Sequence, residues 1–583
     1  MRSVSAPRRG TLSVAAVGAA AALVLALAAC GGGGSSSNNS TNSAGGSGVT
    51  TTSSVKQGGS LTFALDEDIA GFNILNANQA EFVTAEILDQ VWPSVYIVQP
   101  SLKPVLDTDV VTSAKLTQKN PQTVVYQINP KATWSDGVPV NAEDFIYNWQ
   151  AQSGSSKYKD VGGKPYEAAS TSGYNQIKSV TGSNGGKTVT VVYSKPFGDW
   201  KALFSPMIPA HISKKVGFND GWSTFGSAAK VSAGPYMIKS YAKGSNLIEV
   251  PNPKWWGKKP NLSKIVFRFI LDDSQQAPAV QNNEVQMVNP ALPGLDYYNS
   301  VKNIAGFNVN VEPGLEFQHM DFNEANPYLA KVQVRRAIAW GTNRAEIAGR
   351  TGGEISKGLG PLQNRIFLTT QPEFKDESGI YGKYNPSLAK KTLQQAGMTM
   401  GSDGYFHPNF GPQKGKDFTL SISTTNGVPV RSDIEQLFKN DMKQIGVKIN
   451  IVNYTADKLF GTIGPKGEFD IIEFAWVNTP FASGNQPIYC SYTNTTVCGE
   501  NWDHYANPQV DQLFNKALAT LSPEQATAVY NQIDGILWKD MVTLPLFQQP
   551  QLFGWSTKYT NIVPNTSSIG IPWNANEWGL KAS

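Results

Sequence analysis

The residues able to do covalent or metal chemistry are few and scattered. The chain has four histidines, His211, His319, His407 and His504. None stands at metal-ligand spacing with another, and no His-Glu-x-x-His run occurs. They read as surface or packing residues. No Gly-x-Ser-x-Gly elbow and no phosphate-cradling Walker loop is present. A glycosidase-type carboxylate pair needs no short motif, so that reaction stays open on sequence alone. Nothing points to it, and the expectation is a protein that is not an enzyme, with no cofactor and no metal. Cys490 and Cys498 lie close together and read as a disulfide if the chain is exported, with free thiols as the alternative. Asp66, Glu67 and Asp68 form an acidic turn, either a plain solvated one or one that faces a ligand.

The elements that would position such residues begin with an address. Arg2, Arg8 and Arg9 precede an uncharged apolar run from Leu12 to Ala29, which closes on Leu27-Ala28-Ala29-Cys30. A basic start, a short greasy core and small residues before a cut site mark a secretory signal over residues 1–29. The cysteine pattern resembles a bacterial lipobox, in which the thiol accepts a diacylglyceryl group. A short spanning helix is the alternative. Arg8-Arg9 hints at twin-arginine export, although a plain basic start fits better. From Gly31 to Ser54 the chain is nearly all Gly, Ser, Asn and Thr. Such a segment cannot bury enough apolar surface to fold, so residues 30–57 read as a lipid-carrying tether.

The rest is long enough for two or three cores. Net charge is +4, spread without a basic block, which gives nucleic-acid binding no support. Strands are expected at Ser60–Leu65, Thr123–Ile128, Thr188–Tyr193, Lys264–Leu271, Val447–Val452 and Phe469–Ala475. Helices are expected at Gln79–Val91, Val332–Ile347, Pro386–Ala396, Ser432–Ile445, Asn507–Ala519 and Pro523–Asp540. The alternation indicates an α/β fold.

Several stretches resemble, in order, those of the family 5 extracellular solute-binding proteins. The sharpest runs from Ala132 through Trp134, Asp136 and Gly137 to Asn141, Glu143 and Asp144. Its physics is legible without the family. Asp-Gly makes a tight turn, and Asn141 with Asp144 forms a loose capping box at a helix start. Ala233-Gly234-Pro235-Tyr236, Asn252-Pro253-Lys254-Trp255-Trp256, Val334-Arg335-Arg336-Ala337-Ile338, Asn343-Arg344, Tyr505-Ala506-Asn507-Pro508 and Leu544-Pro545-Leu546 continue the likeness to the C-terminus. At Asn283 the family usually has glycine.

The resemblance implies a two-lobed, periplasmic-binding-protein-like clamshell with an extra subdomain inserted in the first lobe. Domain I would hold residues 58–314, the insert about 79–221, and the returning tail 549–583. Domain II would hold 315–548. Strands near Leu315–Phe322 and Leu546–Phe553 would form a hinge. The implied ligand sits between the lobes, against Asp66 to Asn73 and Phe474 to Phe481. The ligand-binding candidates are Asp66, Glu67, Asp68, Phe72, Asn73, Trp476, Asn478, Thr479, Phe481, Asn501 and Trp502. Peptide binders of the family place an aspartate three residues after the tryptophan, to hold the ligand's ammonium. Here that position is Thr479. A buried ammonium needs a counter-charge, so either another acid serves or the ligand lacks a fixed amine. The expected partners are a peptide or other small solute, the permease and ATPase subunits of an ABC importer, and a membrane reached through the lipid on Cys30. The protein is expected to be monomeric on the outer face of the cytoplasmic membrane. An oligosaccharide or metal-chelate binder of the same fold, or a surface peptide sensor, is the alternative.

Overall fold

The structure, a computed structural model, describes residues 54–493 and 497–582. The signal segment, Cys30 and most of the tether lie outside them. In chain order come strand β1 (Ser60–Leu65), helix α1 (Phe82–Leu88), strands β2 (Val111–Lys119) and β3 (Gln122–Ile128), helix α2 (Ala142–Gln152), and strands β4 (Ile177–Ser183) and β5 (Thr188–Tyr193). Strands β6 (Tyr236–Ala242), β7 (Asn246–Pro251), β8 (Lys264–Phe269), β9 (Met287–Val288) and the long β10 (Phe307–Phe322) follow. Then come α3 (Val332–Gly341), α4 (Arg344–Thr351), α5 (Pro386–Gln395), β11 (Thr419–Ser423), α6 (Pro429–Gln444), β12 (Lys448–Ile451) and β13 (Ile471–Val477). Helices α7 (Pro508–Ala519) and α8 (Pro523–Asp540) lead into β14 (Thr543–Ser556).

One sheet of ten strands runs through the molecule in the order β12-β11-β13-β10-β14-β9-β1-β8-β7-β6. Strands β2 to β5 form a separate antiparallel sheet in the order β2-β3-β5-β4. The hydrophobic cores divide along the large sheet. Leu61, Phe63 and Leu65 of β1 join the core that also holds Trp92, Trp134 and Phe145 of the smaller sheet's unit. On the other side of the crossing, Met320, Ile422 and Ile471 belong to one core, and Phe317, Ile472 and Phe474 to another. The second lobe's sheet is therefore covered on both faces, as expected of parallel strands flanked by helices.

Only β10 and β14 carry the large sheet from one lobe to the other. They pair over Phe307–Pro313 with Pro550–Ser556, and again over Phe317–Asp321 with Thr543–Gln548, with the register shifting between Pro313 and Phe317. The break puts Gly314, Leu315 and Glu316 at the crossing. Gln548 Nε2 donates to the Gly314 carbonyl there.

Local chemistry explains the boundaries. Asn141 accepts from the Glu143 N–H at 2.8 Å, and the Asp144 carboxylate accepts from the Asn141 N–H at 3.0 Å, which starts α2 as the capping box requires. Helices α5, α7 and α8 each open on proline after a polar cap, Asn385, Asn507 and Ser522. The expected helix over Val332–Ile347 is instead two. Thr342 is extended, the Asn343 N–H donates to Asp441 at 2.7 Å, and its side chain caps α4. The expected helix from Gln79 shortens to Phe82–Leu88. The Gln79 side chain is engaged instead with the Asn73 N–H at 3.0 Å and the Asn219 carbonyl at 3.1 Å.

Arg365 ties the second lobe to the crossing. It is 0 % exposed and sits 4.3 Å over the Trp538 ring. Its guanidinium donates to Asp534 at 3.2 Å and to Thr543 Oγ1 at 2.8 Å, at the start of β14. Removing one partner of a buried pair strands the other charge and costs about 3–5 kcal/mol, while replacing both with apolar residues is often neutral. Arg365→Met should therefore lower the chemical-denaturation midpoint strongly, and Arg365→Met with Asp534→Leu should recover most of the loss. Equal midpoints for the single variant and the wild type would show that the pair contributes nothing.

Candidate functional site

The ends of two central strands meet at the gap between the lobes. Strand β1 ends at Leu65, which puts Asp66 and Glu67 at its mouth, and β13 ends at Val477 on the opposite lobe. Between them lies a small cavity of about 20 Å³. Phe82, Ala291 and Ser567 line it from the first lobe, Leu315 and Glu316 from the crossing, and Val477 from the second. Asp66 is anchored by the Ala291 N–H at 2.9 Å. Among the described residues, neither the Glu67 nor the Glu316 carboxylate has a hydrogen-bond partner, although the Glu316 backbone pairs with Val477. Burial pushes Glu316 up to about 7, opposed by Arg431 of α6. Glu67 is exposed at the gap yet crowded by protein. Burial, then Asp66, Glu81 and Glu316, lift it to about 7. Behind them Glu473 is fully buried, accepts from Thr424 Oγ1 at 2.9 Å and is raised to about 7 by burial. The gap thus holds more carboxylate than it can keep ionised, with Arg431 the cation that opposes both Glu316 and Glu473.

A larger cavity of about 120 Å³ opens beside it. One water needs roughly 10–15 Å³ by the same measure, so it has room for a small ligand. Its walls come from α1, from the unit of β2 to β5, and from Pro480 to Gly484 of the second lobe. Ile74, Leu88, Ile97, Leu203 and Phe481 give it an apolar body.

The lobes touch where that cavity closes. The Gly198 N–H donates to the Leu518 carbonyl at 2.8 Å, and the Ser483 N–H donates to Asp199 Oδ2 at 3.1 Å. Phe481 and Leu518 of the second lobe enter the first lobe's core. A Cβ on residue 198 would lie 2.4 Å from the Thr520 carbonyl oxygen, so this approach requires glycine.

With this geometry in place, comparison with known proteins is informative. The profile of the bacterial extracellular solute-binding proteins, family 5, matches residues 106–496. The oligopeptide-binding protein OppA of Mycobacterium tuberculosis is 30% identical over 505 residues, 85% of this chain and 81% of that protein. The chain belongs to family 5 of the solute-binding proteins. An uncharacterised lipoprotein of Mycobacterium leprae is 24% identical over 79% of this chain and 82% of its own length. Among solved structures, the periplasmic EDTA-binding protein EppA superposes with a TM-score of 0.84 at 26% identity, covering 91% of this chain and 98% of that one. The two-lobed α/β clamshell is the fold of this family.

The structure sorts the sequence-derived candidates. Phe481 lines the larger cavity, Asp66 is fastened to the Ala291 N–H, and Glu67 is exposed beside it within electrostatic reach of Glu316. The others turn elsewhere. Asp68 is consumed locally by the Ile69 N–H, the Tyr241 hydroxyl and the Gly244 N–H. Phe72 is 1 % exposed and packs on Phe225 and Tyr241 in the first lobe's core. Asn73 is also fully buried and donates to the Phe218 carbonyl. Trp476 meets Phe474 edge-on inside the second lobe, and the half-buried Trp502 packs at a tilt against the same ring. Asn478 donates to the Arg365 and Ile366 carbonyls, and Thr479 Oγ1 bonds the Phe481 backbone, so both hold the turn. Asn501 likewise braces the Cys490 and Tyr505 carbonyls. Cys490 and Cys498 are disulfide-bonded, with Cα atoms 5.5 Å apart. His211 and His407 pair with Asp136 and Asp403, His319 is buried against Phe474 and Trp476, and His504 meets Asn323. Sequence reasoning missed Glu316, Asp199 and Lys201, which no local motif marks.

Asp199 makes the lobe contact sensitive to pH. Burial raises it to about 7. Tyr530 of α8 faces it, and Lys201 lies two residues on. When the lobes part it returns to the ordinary aspartate range near pH 4. The contact-state pKa is the raised one, so its contribution is full below about pH 4 and is lost as pH rises through about 7. Small-angle scattering of ligand-free protein should show a larger radius at pH 8 than at pH 5.5. The pH step should shrink in Asp199→Asn. An unchanged step in that variant would remove Asp199 from the account.

Proposed function

We propose that this protein is an extracytoplasmic, lipid-anchored receptor that captures a peptide between its lobes and delivers it to an ABC importer. The alignment with the mycobacterial oligopeptide-binding protein over 85% of the chain carries the reading. The small-residue run ending in Cys30 supports the anchor, as does the relative named as a lipoprotein. Several acyl chains at about 0.8 kcal/mol per buried methylene hold stably where one would not. The role is binding without chemistry, by a monomer, through hinge closure at the β10–β14 crossing.

The geometry bears on the missing aspartate. Thr479 is used in its own turn, so the counter-charge for a ligand ammonium is assigned to Glu67 and Glu316. Neither carboxylate has a hydrogen-bond partner among the described residues, Arg431 opposes only Glu316, and a ligand cation between the two would favour their ionisation. A charged hydrogen bond contributes about 1.5–3 kcal/mol. Calorimetry with matched free and N-acetylated alanyl peptides should show at least tenfold weaker binding on acetylation. The difference should narrow in Glu67→Gln and Glu316→Gln. A full acetylation penalty in both variants would place the amine on another acid. Binding of EDTA-type polycarboxylates with no peptide bound in either form would replace the peptide reading with the chelate one.

A further inference from the structure

The larger cavity has one cation in its wall. Among the residues lining it, Lys201 alone is basic, and Asp89 alone is acidic. The two do not pair. Asp89 is held by Gln90 Nε2 at 3.0 Å, and burial raises it to about 6. Lys201 is half-buried, and among the described residues no carboxylate stands within salt-bridge distance of it. Its ammonium is steadied by ring faces instead, 5.7 Å from the centroid of Tyr96 and 5.6 Å from that of Trp200. Burial also lowers its pKa. A desolvated ammonium fixed at the wall of a mainly apolar cavity, with its acid partner missing, is a receptor for an anion.

The position is as informative as the charge. Lys201 belongs to the segment Phe197–Leu203, whose Gly198 and Asp199 clasp the second lobe. Glu316 lines the smaller cavity at the crossing strands, and Glu67 lies within electrostatic reach of it. The site therefore has two electrostatic poles, acidic at the hinge and basic at the clasp.

We propose that Lys201 binds a carboxylate of the ligand and thereby fixes the ligand's direction, amine toward the crossing strands and carboxylate toward the clasp. The assignment rests on the peptide reading above. The carboxylate has two possible sources, the peptide's C-terminus or an acidic side chain.

The test is calorimetry on the full chain at low and moderate salt with penta-alanine as free acid, penta-alanine amide, and a glutamate-containing pentapeptide amide. Wild type should bind an acid-bearing peptide at least tenfold more tightly than penta-alanine amide. If the C-terminus is the source, free penta-alanine gains that factor. If a side chain is the source, the glutamate peptide amide gains it. Lys201→Gln should bind all three alike and lose the salt dependence, while Lys201→Arg keeps the preference. The N-acetylation penalty should persist in Lys201→Gln, which shows that the variant is folded and competent. Wild-type ratios retained in Lys201→Gln, or no preference for acid over amide in wild type, overturn the assignment while leaving peptide binding intact. Failure of wild type to bind any of the peptides overturns the peptide reading and this assignment with it.

Discussion

Two antiparallel strands are all that carries the ten-stranded sheet between the lobes, and most of the molecule's arrangement follows from that constraint. Strands β10 and β14 are paired on each side of a register shift, and the shift leaves Gly314 to Glu316 outside their ladder. Backbone pairing is rigid where it is continuous and soft where it is interrupted, so the bend belongs at the crossing. Arg365 fixes the start of β14 on the second lobe, and Leu552 and Phe553 anchor its far half in the first lobe's cores. Each strand is anchored in both lobes, and the longer of the two ladder interruptions lies between them, the shorter falling at Gln318–His319.

The same constraint decides which residues can reach a ligand. Both central strands are covered on their two faces. In β1, Phe63 and Leu65 face one core and Ala64 another, and in β13, Ile471 faces one and Trp476 the other. Most side chains along these strands are thereby committed to the cores. Only their carboxyl ends reach it, at Asp66 and Val477, as in open α/β sheets generally. A cavity walled by strand ends and loops is poor in ordered polar partners. Its carboxylates consequently sit at raised pKa values, held back by burial and by one another.

This explains what was legible in the sequence and what was not. Caps and proline starts are local, so Asn141 with Asp144, and the helix that opens at Pro523, could be read directly. The family stretches pointed to the turn after β1 and the turn after β13, and the latter supplies Pro480 and Phe481 to the larger cavity. They did not settle side-chain direction. Phe72, Trp476 and Trp502 are large aromatics near the gap, and large aromatics in a two-sided sheet are more useful to the cores. Thr479 stood at the expected binding position, yet its hydroxyl closes its own turn. Glu316 and Lys201 were invisible because the roles proposed for them arise from contacts across the fold. One sits at a register shift between strands distant in sequence, and the other in a cavity whose walls span both lobes.

The clasp and the cavity are one piece of architecture. Segment Phe197–Leu203 supplies the lobe contact through Gly198 and Asp199 and the cavity wall through Phe197, Lys201 and Leu203. Pro480 to Gly484 does the same from the other lobe. A cavity bounded by both segments exists as an enclosed space only while they touch. A ligand that fills it therefore stabilises the touching state by its differential affinity for the two arrangements. Under the proposed assignment, the groups that would recognise the solute are carried on the segments through which the lobes touch.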